Sequence, residues 1–298
     1  MGPRVHVICQ NIMDDRVLPR MARYLRDGLG WSVSSGPDGK CDAMYLLAYF
    51  EGDRLHKLKA WPKVPTAAYF THREEDGGDK TRCFDEMAGK VNLRIATCQL
   101  YAGALAAHGL TAQCAPPLDT RMFGVAPRRN GGRPVVGFSG YTYPNHRKGE
   151  DLVRGLLKAP IAGRVTWQAC GRGWPVVPTQ RFPWVAMPRF YQGLDVLVVP
   201  SRVEGIPMPP LEALACGVRI VIPRNVGLLD ELSDCTGVYR YPKGDLKGLI
   251  KAVEQAAFPD KAVNREALRA VTAPYSVENW CRDNERAVAK MLEGGRTC

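Results

Sequence analysis

The chain has 298 residues, of which 45% are apolar and 24% are charged, a globular composition long enough for two domains. It has no apolar run of about eighteen residues and no apolar core near its N-terminus, which argues against a membrane span or a signal peptide and predicts a cytoplasmic protein. A formal net charge of +11 favours anionic partners such as nucleotides, lipid surfaces or nucleic acid.

The ten cysteines and five histidines show no spacing typical of a metal site. There is no Cys-x-x-Cys pair, and several cysteines lie among apolar or small residues, so we expect buried, reduced thiols. An Asp-x-Asp motif is also absent from the sequence, and we therefore expect no metal cofactor.

Strands and helices alternate through the first part of the chain. Apolar runs predict strands at 4–9, 31–34, 42–49, 66–70 and 91–98, and helical periodicity predicts helices at 14–29, 53–60 and 99–108. This alternation predicts an α/β fold with a Rossmann-like domain.

A polar, glycine-rich segment at 128–133 has the composition of a linker, so we place a domain boundary near residue 131. A second series follows, with strands predicted at 134–139 and 164–170 and helices at 150–157 and 187–192. The loop before the first of these helices carries Arg147 and Lys148, two cations that suit a diphosphate at a helix N-terminus. The alternative is an exposed basic loop.

The stretch 194–223 combines a buried strand at 196–199, a loop, a helix at 211–216 and a second strand at 219–222. A helix that begins behind a parallel strand directs its free N–H groups to the carboxyl edge of the sheet, where α/β proteins bind anions. Glu204 and Glu212 stand on either side of this junction and could accept hydrogen bonds from hydroxyls flanking a bound diphosphate, as in a nucleotide sugar. Alternatively, Glu204 is solvated and Glu212 compensates the helix dipole.

The last part of the chain contains an edge strand at 237–241 and helices at 245–257 and 277–292. We therefore predict two Rossmann-like domains, at 1–131 and 132–275, with a terminal helical segment at 276–298.

The stretch 194–223 resembles the motif of two glutamates separated by seven residues in the retaining family 4 glycosyltransferases. The resemblance rests on Pro200-Ser201, Glu204-Gly205, Pro207, Leu211-Glu212-Ala213 and Cys216-Gly217. It implies the GT-B fold, in which two Rossmann-like domains face a cleft and the last helix crosses back to the first domain.

The resemblance also implies roles for individual residues. Glu204 would contact the donor sugar, the backbone of Gly205, Ile206, Pro207 and Met208 would contact sugar and phosphate, and Glu212 would hold the ribose hydroxyls. Lys148-Gly149 matches a lysine-glycine pair of the family, whereas Tyr141 stands where the family has an arginine that Arg147 would replace. Ser139 and Gly140 precede this loop as further nucleotide-binding candidates, and His72 resembles a histidine that approaches the donor sugar from the first domain.

The implied activity is transfer of a sugar from a nucleotide-diphosphate donor to an acceptor, with retention of configuration and without a metal. Two alternatives remain open at this point, a nucleotide-sugar epimerase on the same fold and a non-catalytic basic module that binds nucleic acid or an anionic membrane.

The acceptor hypothesis rests on the first helix. Arg16, Arg20 and Arg23 recur at spacings of four and three, opposite an apolar face. They form either an ordinary solvated face or a surface for an anionic acceptor, with a phospholipid-linked glycan as first choice and nucleic acid as second. The first choice would place the protein at the inner face of a membrane as a peripheral protein.

Overall fold

The computed structural model describes residues 2–74, 77–127 and 131–294. The chain forms two compact units, one comprising Met1–Pro117 with Val277–Cys298 and the other Leu118–Ser276. The division falls before the linker that the composition predicts, and residues 128–130 of that linker lie outside the described residues.

The first unit alternates strands and helices as the sequence predicts. Its elements are β1 Val5–Ile8, α1 Val17–Leu29, β2 Ser32–Ser34, β3 Ala43–Leu46, α2 Tyr49–Lys57, β4 Thr66–Phe70, α3 Asp79–Lys90, β5 Leu93–Ala96, α4 Gln99–Ala106 and β6 Thr111–Gln113. Among the described residues the strands form a six-stranded parallel sheet in the order β2-β1-β3-β4-β5-β6. All residues of β1, β3, β4 and β5 are buried, which explains why these strands are mainly apolar.

The second unit repeats this architecture. Its elements are β7 Val135–Tyr141, α5 Glu150–Leu156, β8 Thr166–Arg172, β9 Thr179–Gln180, α6 Met187–Gln192, β10 Val196–Val198, α7 Met208–Ala215, β11 Arg219–Pro223, β12 Val238–Tyr241, α8 Leu246–Ala257 and α9 Arg265–Ala270. Within the described chain these strands also form a six-stranded parallel sheet, in the order β12-β11-β10-β7-β8-β9. The predicted α/β class with two Rossmann-like units is confirmed.

The final helix, α10 Val277–Gly294, packs on the first unit. Its Trp280 is 1% exposed and meets the ring of Tyr69 edge to face at 5.0 Å. One turn later, the side chain of Asn284 accepts a 2.6 Å hydrogen bond from the Tyr45 hydroxyl. Buried aromatic area and a satisfied buried hydrogen bond fix this helix against the first sheet.

Several elements differ from the sequence prediction: α2 begins four residues earlier than predicted, and β6, β9 and α9 were not predicted. Helix α3 was not predicted, because its apolar face consists of Thr81, Phe84, Met87 and Ala88 within a segment rich in charge. Helix α7 begins at Met208 instead of Leu211, since the prolines at 209 and 210 fit a first turn, where backbone N–H groups have no internal partners.

Candidate functional site at the carboxyl edge of the second sheet

The loops that follow β7 and β10 lie together because these strands are neighbours and parallel. They touch at Gly149, which has a φ of +74° and where an added Cβ would lie 2.1 Å from the carbonyl oxygen of Pro200. No other residue fits here without moving the backbone. The lysine-glycine pair therefore brings the loop that contains Lys148 against the loop that contains Glu204.

Lys148 and Glu204 form a buried ion pair, in which Lys148 Nζ donates to Glu204 Oε1 over 2.5 Å. The side chains are 13% and 6% exposed. Ser201 Oγ donates to the same carboxylate oxygen over 2.6 Å. The first glutamate of the motif is thus not solvated, and its orientation is set from both loops.

The electrostatics of this pair favour a charged Glu204. Burial alone disfavours the carboxylate, but the charge and hydrogen bond of Lys148, the hydrogen bond of Ser201 and the charge of Arg147 outweigh it. The pKa of Glu204 is therefore lowered from its ordinary value of 4.5. At neutral pH the site contains an ionised carboxylate beside an ammonium group.

Arg147 adds a second positive charge near this pair. Its guanidinium lies over the ring of Tyr143, 4.5 Å from the ring centre, and its carbonyl accepts from the backbone N–H of Arg202 over 2.9 Å. Arg202 in turn makes a bidentate pair with Asp151, with both contacts at 2.7 Å. These contacts join the loop before α5 to the loop after β10 a second time.

The backbone from Gly205 to Met208 leads directly into α7. Glu204, Gly205, Pro207 and Met208 are buried, and the N–H of Met208 donates to the Ile206 carbonyl over 2.9 Å. The start of α7 thus lies at the carboxyl edge of the sheet, which agrees with the position expected for an anion-binding turn.

Glu212 belongs to a chain of three side chains that the sequence does not reveal. Its Oε2 accepts a 2.6 Å hydrogen bond from the hydroxyl of Tyr191, and the same hydroxyl lies 3.1 Å from Ser139 Oγ. Glu212 is 3% exposed and Tyr191 is fully buried. Burial and the nearby charge of Glu212 raise the pKa of Tyr191 well above its ordinary value, so the phenol keeps its proton.

Gly140 supports the end of β7 through its backbone. Its carbonyl accepts from Trp174 Nε1 over 3.1 Å, and a Cβ on Gly171 would lie 2.1 Å from the same oxygen. The strand ends β7 and β8 are therefore held close together, with Ser139 directed to Tyr191. Ser139, Gly140, Lys148, Glu204 and Glu212 all belong to one edge of one sheet.

His72 belongs to the first unit, immediately after β4. Its Nε2 lies 3.1 Å from Glu74 Oε1 and its Nδ1 lies 3.2 Å from Thr71 Oγ1. Both side chains of the histidine-glutamate pair are largely buried, at 15% and 9% exposure. The structure thus groups His72 with acidic and hydroxyl partners of its own loop.

The arginines of α1 do not form the uniform exposed stripe that their spacing predicts. Arg20 is buried, and its guanidinium donates to the carbonyl of Asp15 over 2.8 Å. Arg23 donates to the carbonyls of Ile12 and Asp14 over 2.6 and 2.7 Å. These two cations fold back onto the preceding loop because its carbonyl groups lie beside the start of the helix, whereas Arg16 stays exposed.

Within residues 2–74, 77–127 and 131–294 no group of three or more His, Cys, Asp or Glu side chains is placed to hold a metal ion. Independence of a metal stays a prediction. In the same ranges no helix is long and apolar enough to cross a membrane.

A cavity of about 460 Å³ lies elsewhere in the second unit. It is lined by residues that precede or begin β10 and β11, among them Asp195 and Arg219, and thus lies at the amino edge of the sheet. Arg219 binds Asp195 there over 3.5 Å. The cavity therefore lies at the edge of the sheet opposite to the edge that carries the motif residues.

Comparison with known proteins places the motif in a family. Residues 163–257, which include both glutamates, match the family described as "Glycosyl transferases group 1". The chain is 30% identical over 213 residues to the lipopolysaccharide core biosynthesis mannosyltransferase LpsB of Rhizobium meliloti (strain 1021), covering 62% of this chain and 59% of that protein. It is 31% identical over 145 residues to the 2-deoxystreptamine N-acetyl-D-glucosaminyltransferase of Streptomyces fradiae, covering 42% and 34%. The chain thus spans less than two thirds of the length of either relative.

Solved structures agree on the fold. Alr3699/HepE of Anabaena, solved in complex with UDP-glucose, superposes with a TM-score of 0.73 at 15% identity, covering 97% of this chain and 100% of that chain. Sucrose-phosphate synthase of Thermosynechococcus elongatus superposes with a TM-score of 0.67 at 14% identity, covering 93% and 78%. Residues 163–257 are thus similar to the group 1 glycosyltransferases, and the solved structures show that the chain has the GT-B fold.

Proposed function

We propose that the protein transfers a glycosyl group from a nucleoside diphosphate sugar to an acceptor hydroxyl, with retention of configuration. The observation that carries this proposal is the buried pair of Lys148 and Glu204, which lies on the same sheet edge as Glu212; both glutamates belong to the region that matches glycosyltransferases. In the reaction, the bond from the anomeric carbon to the diphosphate breaks and a bond to the acceptor oxygen forms. The nucleoside diphosphate leaves with the electron pair, and its departing oxygen takes up the proton that the acceptor hydroxyl loses.

The cations at the start of α5 would assist this departure. Negative charge grows on the diphosphate as the bond breaks, and a positive group held in place before the reaction stabilises that charge at no further cost in reorganisation. Lys148 is 13% exposed and tied to Glu204, so it is held in this way. Arg147, whose charge lowers the pKa of Glu204, would act beside it.

The two glutamates would bind different parts of the donor. Glu204, oriented by Lys148 and Ser201, would contact the sugar, and Glu212 would accept hydrogen bonds from the ribose hydroxyls. The fold neighbour HepE is described in complexes with UDP-glucose and UDP, which makes uridine donors the first to test.

A lipid-linked glycan is our first choice of acceptor. The relative named for lipopolysaccharide core biosynthesis and the net charge of +11 support an anionic, glycan-bearing acceptor. Nucleic acid remains second, and the burial of Arg20 removes part of the basic surface on which that choice rests.

The decisive experiment measures nucleotide release from UDP-sugars and GDP-sugars, with and without glycolipid acceptors. Release that requires an acceptor, with an α-linked product from an α-linked donor by NMR, is the expected result. Interconversion of the sugar without an acceptor would instead indicate an epimerase. Absence of turnover with every donor, combined with salt-sensitive binding of vesicles or DNA, would favour a non-catalytic binding module.

A further inference from the structure

We infer that Tyr191 is a positioning residue for Glu212, and that the hydrogen-bonded chain from Ser139 through Tyr191 to Glu212 sets recognition of the nucleotide ribose. This inference rests on the proposed function and assigns a specificity role to a side chain outside the sequence motif. The sequence alone indicates that Tyr191 is a packed aromatic residue of a short helix.

The geometry fixes the direction of the hydrogen bonds. A glutamate carboxylate can only accept, so the single phenol proton of Tyr191 points to Glu212 Oε2 over 2.6 Å. The 3.1 Å contact to Ser139 must then use the serine proton, with the tyrosine oxygen as acceptor. Ser139 therefore donates, Tyr191 accepts from Ser139 and donates to Glu212, and Glu212 accepts.

Two consequences follow for a bound nucleotide. Because Tyr191 binds one oxygen of Glu212, the orientation of that carboxylate is fixed, and a carboxylate can accept a further hydrogen bond from a donor such as a ribose hydroxyl. Because the proton of Ser139 is used within the chain, its oxygen can only accept a further hydrogen bond. Both groups therefore select for ligand hydroxyls at this place and against phosphate oxygens.

The burial of Tyr191, the central member of these three hydrogen-bonded side chains, makes the arrangement rigid. Tyr191 has no exposed surface, and its ring packs against Phe123 at 6.1 Å between ring centres and against the adjacent Phe190 at 5.3 Å. The hydroxyl therefore cannot turn away to solvent when the nucleotide leaves. A carboxylate held in position before binding loses little entropy when the ribose arrives.

The test compares two ligands that differ only in the ribose, UDP and 2′,3′-dideoxy-UDP, with the GDP pair used if uridine does not bind. We expect wild type to prefer the ribonucleotide, and Tyr191→Phe to reduce this preference by roughly tenfold, the scale for one hydrogen bond to a charged group. Ser139→Ala should reduce it in the same direction by a smaller factor. Calorimetry on the folded proteins gives the affinity of wild type and of each variant for both ligands.

Tyr69→Phe is the matched control, since Tyr69 is a fully buried tyrosine of the first unit whose hydroxyl donates to the carbonyl of Cys114 over 3.1 Å. It should lower thermal stability without changing the preference. A Tyr191→Phe protein that binds both ligands more weakly by the same factor, or that keeps the wild-type preference, overturns the positioning role. Failure of wild type to bind any nucleoside diphosphate overturns the proposed function and this inference together, so the two failures are distinguishable.

Discussion

The candidate residues at the carboxyl edges of the two sheets are held by contacts of different sequence range, although the first edge also has a long-range contact, between Gln10 and Glu51, which are 41 residues apart. In the second unit, the contacts join residues far apart in sequence, with Lys148 and Glu204 56 residues apart and Ser139 and Tyr191 52 apart. In the first unit, His72 and Glu74 are two residues apart, and Arg23 binds carbonyls nine and eleven residues before it. A contact between two loops fixes the position of each loop relative to the other. A pair within one loop leaves that loop able to move as a unit.

This difference separates a site whose geometry is set by the fold from one whose geometry is set by single loops. At the second edge, removal of one partner leaves a buried charge in a rigid surrounding, which is costly. At the first edge, a lost partner can be replaced by water or by a shift of the loop. The following predictions test this comparison, beginning with the largest expected effect.

Replacing Lys148 by Ala should destabilise the protein by about 3 to 5 kcal/mol, because a buried Glu204 would lose its counter-ion. Turnover should fall together with donor affinity, since the charge on the leaving group grows toward the transition state. Urea denaturation and steady-state kinetics measure the two effects. The double variant Lys148→Ala, Glu204→Gln should recover stability but not activity, and wild-type turnover in the single variant would contradict the leaving-group role.

The same pair predicts how stability depends on pH. Glu204 has a lowered pKa in the folded state, so its stabilising contribution is present above its unfolded value and is lost as the pH falls through the folded value. Without Lys148, burial would raise that pKa above its unfolded value, so in the variant this carboxyl would make the folded state less stable as the pH rises. Denaturation midpoints of wild type and Lys148→Ala between about pH 4 and pH 8 should therefore diverge most at the upper end.

Gly149→Ala tests the contact between the two loops. The variant combines an unfavourable φ with a Cβ placed 2.1 Å from Pro200 oxygen, so we expect a loss of more than about 2 kcal/mol and weaker nucleotide binding. Gly244→Ala is the matched control, because Gly244 has a φ of +80° with open space around it and should lose only the backbone contribution. Equal losses in the two variants would show that the loops tolerate separation.

Much of the fold could be predicted because buried parallel strands contain continuous apolar runs, as in 196–199 and 220–222. Helix α3 could not be predicted, since a four-residue apolar face after a charged segment resembles a loop as much as a helix. The position of Glu204 and Glu212 at one edge follows from the strand and helix order. Their roles in donor binding came only from the family resemblance.

The partners of the two glutamates were less accessible to sequence reasoning. Tyr191 lies in a six-residue helix and bonds Glu212 21 residues later, and no local pattern indicates that its hydroxyl meets a carboxylate. Lys148 was identified as a phosphate ligand, but its pairing with Glu204 depends on the neighbouring positions of β7 and β10. Long-range contacts of this kind appear only when the sheet order is known.

Glu212→Gln should weaken binding of the nucleoside diphosphate by roughly 1 to 3 kcal/mol, the scale of a hydrogen bond to a charged group. The amide keeps the shape of the side chain, but only its oxygen can accept a hydrogen bond. The Tyr191 hydroxyl and the ribose hydroxyls would therefore compete for that one oxygen. Calorimetry on the folded variant measures the loss. Unchanged affinity would remove Glu212 from the nucleotide site and leave it as a buried partner of Tyr191 alone.

The smallest effects are expected at the arginines of α1. Arg23→Ala should cost about 1 kcal/mol or slightly more, because a partly buried guanidinium that binds the carbonyls of Ile12 and Asp14 is lost. Arg16→Ala should change stability by less than about 0.5 kcal/mol, since its pair with Asp14 is exposed. Sedimentation with anionic vesicles and retention of labelled DNA, each across a salt series, then test the acceptor hypothesis on the same variants. If Arg16→Ala abolishes salt-sensitive binding while Arg23→Ala only lowers stability, the exposed arginine contributes to an anion-binding surface, whereas Arg20 and Arg23 stabilise the preceding loop.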